Sequence, residues 1–226
     1  MRTLAIGDVH GNSVALDALM HAVQPTTADL LVFLGDYVDR GPDSKGVLDR
    51  LISWMQQLRM ICLRGNHELM MCRARTNRDD QSNWMMVGGA MTVASYAVAG
   101  RADIESVPTE HWKFLDEDLY DFLETDTHIF AHANLEPDTP LEEQPELYLF
   151  WEFLAEPVKH RSGKTLICGH TRQNSGVPKA WPKTVCIDTG SYKEYGWLTA
   201  LHVETGSYWQ ANMNGEVRRG ELEYDE

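Results

Sequence analysis

Two carboxylates, one amide and three imidazoles stand in short motifs along this chain, and together they suit two adjacent metal ions. The motifs are Gly7-Asp8-Val9-His10-Gly11, Gly35-Asp36-Tyr37-Val38-Asp39-Arg40-Gly41, Gly65-Asn66-His67-Glu68, His132-Ala133 and Gly169-His170-Thr171. Asp8 and His10 are two positions apart, so in extended backbone both side chains point to the same side and one loop serves one ion. A carboxylate such as Asp36 can bridge two cations through one oxygen. Asn66 offers a neutral amide oxygen, and His132 and His170 offer imidazoles. Mixed nitrogen and oxygen ligands without thiolate favour Mn, Fe or Zn over Ca and disfavour Cu(I). His67 with Asp39, and the arginines Arg40 and Arg64, are left over for a phosphate.

The elements that must position these groups are legible in the hydrophobic pattern. Leu4–Ile6 reads as a short strand, followed by helical spacing at Ala15, Leu19, Ala22 and Val23. Leu30–Leu34 is a continuous apolar run, as expected for a strand buried on both faces. Asp43 or Ser44 can cap a helix whose apolar face is Val47, Leu48, Leu51, Ile52 and Met55, and Met60–Leu63 is a third strand. Each strand ends at a motif, which puts Asp8, Asp36 and Asn66 outside the carboxyl ends of strands, where ligands collect in α/β sheets. Residues from about 69 to 126 read as helical, interrupted at Gly88-Gly89 and Gly100, and hold no metal-ligand motif. They are expected to be an insertion within a single domain spanning 1–226. Strands resume at Thr127–Ala131, Thr165–Cys168, Thr184–Ile187, Leu198–Val203 and Ser207–Ala211, the last two joined by a Glu204-Thr205-Gly206 hairpin. The acidic end, Glu221 to Glu226, is expected to fray.

The ordered set of motifs resembles the phosphoprotein-phosphatase branch of the calcineurin-like metallophosphoesterases, from Gly7 to about Tyr192. The resemblance implies an α/β (α+β) four-layer sandwich of two mixed β-sheets flanked by helices, with a dimetal site at the strand C-terminal ends. It assigns Asp8, His10 and Asp36 to the first metal, and Asp36, Asn66, His132 and His170 to the second. The position matching His67 protonates the leaving alkoxide and that of Asp39 orients it; Arg40 and Arg64 match phosphate-binding arginines. Read without the family, Arg40 could pair with Asp39 or Asp43, and Arg64 could brace a loop.

One departure is clear. Bacterial members commonly carry an arginine shortly after a Trp, whereas this chain reads Phe150-Trp151-Glu152-Phe153, so either Arg161 or Arg172 substitutes from a nearby loop or the phosphate is held more loosely. The implied activity is hydrolysis of phosphoserine and phosphothreonine in proteins by a dimetal-activated hydroxide, with Mn the expected metal. The alternative is symmetric hydrolysis of a dinucleoside polyphosphate such as diadenosine tetraphosphate. Gly88-Gly89-x-x-Thr92-x-x-x-Tyr96 looks like a segment of that group, and Trp84 or Tyr96 would stack on adenine. A catalytically silent metal-binding adaptor would have no use for His67 and Asp39. Asp188-Thr189-Gly190 reads as a tight turn leading to Tyr192 and Tyr195 at the cleft rim, and Trp84-Met85-Met86 as core of the insertion.

Composition narrows the setting. With 226 residues, 43% of them hydrophobic, the chain can bury one large core. No apolar run approaches the roughly 18–20 residues that span a bilayer. Cys62, Cys72, Cys168 and Cys186 lack Cys-x-x-Cys spacing and read as reduced thiols, which fits a cytoplasmic protein. A net charge of −14 without a basic stretch argues against nucleic-acid or membrane binding and repels phosphates at long range. Two divalent ions, less the charges of Asp8, Asp36 and a hydroxide, would leave the site about +1 and so able to take a phosphate dianion.

Overall fold

The computed structural model describes residues 2–97 and 101–225. Alternating strands and helices build its first third: β1 (Thr3–Ile6), α1 (Ser13–Val23), β2 (Leu30–Phe33), α2 (Ser44–Met55) and β3 (Met60–Cys62). The side chain of Asn12 caps α1 by accepting from Ala15 N–H, and that of Asp43 caps α2 by accepting from Gly46 N–H. The next segment is α3 (Asn66–Ala74), α4 (Arg78–Trp84), a π-helical turn at Met85–Gly89, α5 (Ala90–Ser95) and α6 (Thr109–Glu117). The break expected at Gly100 lies outside the described residues.

The strand β4 (Phe122–Glu124) already falls inside the stretch read as helical, and β5 (His128–Ala131), the one-and-a-half-turn α7 (Glu146–Phe150) and β6 (Thr165–Cys168) follow. The chain finishes with β7 (Lys179–Trp181), β8 (Thr184–Cys186), β9 (Leu198–His202), β10 (Ser207–Ala211) and β11 (Val217–Glu221).

The strands form two mixed sheets, ordered β11-β10-β9-β1-β2-β3 and β4-β5-β6-β8-β7. In the first, β1, β2 and β3 are parallel and β9 to β11 are antiparallel; in the second, β5, β6 and β8 are parallel. Alternation along each strand divides the core. Ala5, Val32, Phe130, Ile167, Val185 and Leu201 meet between the sheets. Leu4, Ile6, Leu31 and Phe33 face the helices α1 and α2. On the far side, Ile129, Leu166 and Cys186 are covered by Leu141, Leu149 and Leu154. That fourth layer is thin, with α7 and loops doing what long helices do on the opposite face.

The end of the chain corrects one expectation. Residues 221–225 do not fray: Leu222 N–H donates to Gly206 O, and Asp225 N–H donates to Ala180 O, which ties the acidic tail across β7. Cys62, Cys168 and Cys186 are buried in strands and Cys72 is half-buried.

The π-helical turn presses its backbone onto the loop after β2. Gly88 has φ +135, its carbonyl accepts from Arg40 N–H, and a Cβ there would lie 2.8 Å from Arg40 N. Gly88→Ala is therefore expected to cost about 1–3 kcal/mol, because an L side chain is strained at that φ and has nowhere to go. A lower urea midpoint at unchanged slope would show it; an unchanged midpoint would mean that this contact is not needed.

Candidate active site

Asp8, Asp36 and Asn66 follow β1, β2 and β3, while His132, His170 and Asp188 follow β5, β6 and β8. The carboxyl ends of parallel strands from both sheets thus face one spot, the place where such sheets bind ligands. Loop geometry aims the side chains. His10, Asp36, Asp39, Arg40 and His170 all have φ between +47 and +72, left-handed backbone that non-glycine residues adopt only when their surroundings hold them there. This corrects the expectation of an extended Asp8-x-His10 pair: His10 is turned by its own backbone.

At the centre is Asp36, buried, with its Oδ2 3.4 Å from His10 Nε2 and its Oδ1 3.4 Å from His132 Nε2. Asn66 Oδ1 lies 3.0 Å from His132 Nε2 and 3.1 Å from His170 Nδ1. Hydrogen bonds on the far side of each ring fix the tautomers. His10 Nδ1 donates to Val38 O, His132 Nδ1 to Leu34 O and His170 Nε2 to Trp151 O. Each ring then turns an unprotonated nitrogen toward Asp36 and Asn66. Burial keeps these rings neutral, pushing His10 and His132 below the usual imidazole range and His170 down to about 4. Burial works against the charge on Asp36; protonated rings at His132, His67 and His10 would outweigh it and hold that carboxyl below the usual range, and of these three only His67 is itself held toward its charged form. A buried carboxylate, an amide oxygen and three lone-pair nitrogens form a donor set that fits divalent cations.

Asp8 does not join either cluster of ligand atoms that centres on Asp36. Its carboxylate accepts from His170 N–H, and burial together with Asp188 and Asp36 pushes its pKa well up. A third cluster, Asp49, Glu110 and His111, combines two exposed acids with a ring that bonds Tyr96 OH through Nδ1 and Asp49 through Nε2, and it lies on helices α2 and α6 rather than at strand ends.

His67 shares a cluster with His10 and Asp36, its ring 4.8 Å from that of His10, but it differs from the other imidazoles in its hydrogen bonding. Its Nδ1 donates to Asp39 Oδ2 at 2.6 Å, and Nε2 lies 3.9 Å from Asp36 Oδ2. Burial disfavours its charge, yet Asp36 and the bond to Asp39 raise its pKa above the usual value. A ring held this way favours its protonated form. Asp39 is itself pinned, since Trp84 Nε1–H donates to Oδ2 at 2.8 Å and Thr92 Oγ–H to Oδ1 at 2.6 Å. Nothing in the sequence marks Trp84 and Thr92 for that role, because they reach Asp39 only through the fold. The same burial removes them from the other role weighed for this segment: Trp84 is 0% and Tyr96 3% exposed, so neither can stack on a base.

The arginines divide. Arg40 pairs with neither Asp39 nor Asp43; its Nη1 lies 2.8 Å from His10 Nε2 and its guanidinium 4.8 Å from the centre of the Tyr192 ring. Arg64 is not brought to the cluster. It donates to the carbonyls of Leu115 and Leu119 and lies 3.4 Å from Asp121, bracing the end of α6. Of the two arginines considered as replacements near Trp151, Arg161 donates to Asp138 O, whereas Arg172 donates to Tyr192 OH at the site's edge. The place after Trp151 is taken by Phe153, 66% exposed and stacked on His170 at 4.9 Å.

This fold and site define a metallophosphoesterase, and the chain belongs to the calcineurin-like phosphoesterase family, whose model matches residues 1–174. Serine/threonine-protein phosphatase 1 of Salmonella typhimurium is 34% identical over 137 residues, 59% of each chain, in keeping with the phosphoprotein-phosphatase branch. The asymmetrical bis(5'-nucleosyl)-tetraphosphatase PrpE of Anoxybacillus flavithermus is 32% identical over 187 residues, 76% of this chain and 74% of the relative. A solved structure of a candidate diadenosine tetraphosphatase superposes with a TM-score of 0.65 at 21% identity, covering 97% of this chain and 93% of that one. Among the described residues no helix is long and apolar enough to cross a membrane.

Glu68 carries the loop that carries Asp36. Its buried carboxylate accepts from the N–H groups of Asp36, Tyr37, Val38 and Gly65. Gly65 must be glycine for this approach, since a Cβ would fall on the Asp36 carboxylate. The sequence signal was present as a helix-start pattern, a Glu at the third position of α3, but it pointed to a cap rather than to the site. Glu68→Ala strands these donors, each costing about 1–3 kcal/mol, so the folded state should lose at least about 3 kcal/mol and calorimetric Mn²⁺ uptake should fall with it. Glu68→Gln, with one acceptor oxygen left, should lie between. Undiminished uptake in Glu68→Ala would show that the Asp36 loop holds its own shape.

Proposed function

We propose that this chain hydrolyses phosphate monoesters, foremost phosphoserine and phosphothreonine in proteins. Asp36, Asn66, His132 and His170 would hold one divalent ion; His10 and Asp36, joined by Asp8 once its carboxylate turns from the His170 N–H, would hold the other. Mn is the metal expected from the family resemblance, and the donor set itself is compatible with Mn, Fe or Zn. When bound, such a pair supplies positive charge and an activated water for in-line attack at phosphorus.

The chain's own groups do the rest. Arg40, beside His10 and free of any carboxylate partner, offers a planar fork to two phosphate oxygens. His67, held by Asp39, passes its Nε2 proton to the departing oxygen and is recharged from solvent. The observation that carries the reading is this buried His67–Asp39 pair. A serine alkoxide is a poor leaving group and needs a proton, whereas the anhydride oxygen of a polyphosphate leaves readily without one.

A second reading, cleavage of a dinucleoside polyphosphate, is supported by the extent of the match to PrpE. Parallel turnover of a phosphopeptide, diadenosine tetraphosphate and p-nitrophenyl phosphate separates the two.

His67→Asn should keep its metal content and lose roughly 10²–10⁴ in kcat on phosphoserine, with a smaller loss on p-nitrophenyl phosphate, whose leaving group needs no proton. Loss of metal, or equal slowing of both substrates, would place His67 among the ligands. Chelation should abolish turnover and Mn²⁺ restore it. Asp36→Asn should bind less metal than Asp8→Asn, because only Asp36 faces all three ligand imidazoles; the reverse order would make Asp8 the shared ligand.

A further inference from the structure

An open cavity of about 290 Å³ is lined by Arg172, Asn174, Gly190, Lys193, Glu194 and Tyr195 among others. Tyr192 links this cavity to the metal cluster, touching Arg172 and Lys193 of the one and His10 of the other. Its ring meets His10 edge-on at 5.0 Å, the Arg40 guanidinium lies 4.8 Å and the Lys193 ammonium 4.9 Å from its centre, and its hydroxyl accepts from Arg172. Three cations thus converge on one ring in a protein of net charge −14.

Several cations elsewhere are neutralised, Arg50 by Asp17, Arg75 by Asp116 and Lys164 by Glu124. Among the described residues, Arg40, Arg172 and Lys193 have no carboxylate within 4.0 Å. The one acid lining the cavity, Glu194, is exposed and bonded to neither cation. The cations are also pre-set. The Arg172 stem lies against Gly190, where a Cβ would come 2.8 Å from its Cδ, and Asn174 Oδ1 accepts from its Nε. Tyr195, 84% exposed at the mouth of the cavity, presents a flat aromatic face to solvent.

We propose that this cavity is a subsite for the phosphates beyond the scissile one, and for the base, of a nucleoside polyphosphate. Arg172 and Lys193 would take the phosphates and Tyr195 would stack on the base. The phosphate at the metals and a second one at Lys193 would then both lie next to Tyr192, whose ring centre is 5.0 Å from that of His10 and 4.9 Å from the Lys193 ammonium. The proposal rests on the two-metal reading above and deepens its second substrate class.

The test uses the Mn²⁺-loaded protein, with inhibition of p-nitrophenyl phosphate hydrolysis measured for AMP, ADP, ATP and tripolyphosphate at fixed free Mn²⁺. ATP should bind roughly tenfold tighter than AMP, as expected for one added charge-assisted contact. Lys193→Gln should flatten that gradient while leaving kcat/KM on p-nitrophenyl phosphate within about twofold of wild type. Tyr195→Ala should remove the advantage of ATP over tripolyphosphate, a loss of roughly fivefold or more for one base stack. Equal inhibition by AMP and ATP, or a gradient that survives Lys193→Gln, would overturn the proposal. So would a phosphopeptide whose binding gains from added acidic residues while nucleotides show no gradient. If Arg172→Gln raises KM for p-nitrophenyl phosphate as much as it weakens ATP, that arginine serves the scissile phosphate and the subsite is wrong. Absence of any wild-type turnover would instead count against the hydrolase reading, and calorimetry with ATP would then decide on the cavity by itself.

Discussion

A carboxylate with almost no exposed surface must be compensated, and the charge of Asp36 is the one around which this end of the molecule is organised. Its Oδ1 accepts from His67 N–H at the start of α3, and three imidazoles lie within 4 Å of its oxygens. Its own N–H is held by Glu68, a second buried acid. Two carboxylates so close repel, and burial with Asp36 nearby pushes Glu68 up to about 7. The arrangement is tolerable because Glu68 spends its oxygens on backbone donors, while Asp36 turns toward imidazoles and toward space that suits a cation.

Backbone strain follows from the same constraint. Of the six described non-glycine residues with positive φ, five are Asp36 and its near neighbours in the site; the sixth, Gln24, ends α1. Each such residue costs about 1–3 kcal/mol and persists only where the surroundings overdetermine it. Here the surroundings are the Glu68 clamp, the carbonyl of Gly88 on Arg40, and the Trp84 and Thr92 bonds to Asp39. The helical segment between the sheets' halves is therefore part of the active-site scaffold. Its π-helical turn delivers Gly88 and Thr92 to the loop after β2, which an unbroken helix would not do.

Much of this was legible in the residues. Strand ends at motifs placed Asp36, Asn66, His132 and His170 together, because an apolar run followed by Gly and a polar ligand has few other uses. What periodicity could not give was direction. Asp8 and His10 share a motif, yet the left-handed turn at His10 sends their side chains to different partners. Arg64 stands one residue from Gly65, but its long side chain finds the carbonyls of α6 before it reaches the cluster. Short strands such as β7 and β11 escaped notice because three to five residues with mixed polarity carry little pattern. Arg172 and Arg161 looked equivalent in sequence, and only the fold brings the first to Tyr192.

The central claim is that three imidazoles hold metal while the fourth, His67, holds a proton. Anomalous diffraction from crystals grown with Mn²⁺ tests it most directly. Two peaks should appear flanking Asp36, contacted by His10 on one side and by Asn66, His132 and His170 on the other, with His67 contacting neither and still bonded to Asp39. A single peak, or a peak ligated by His67, would contradict the account.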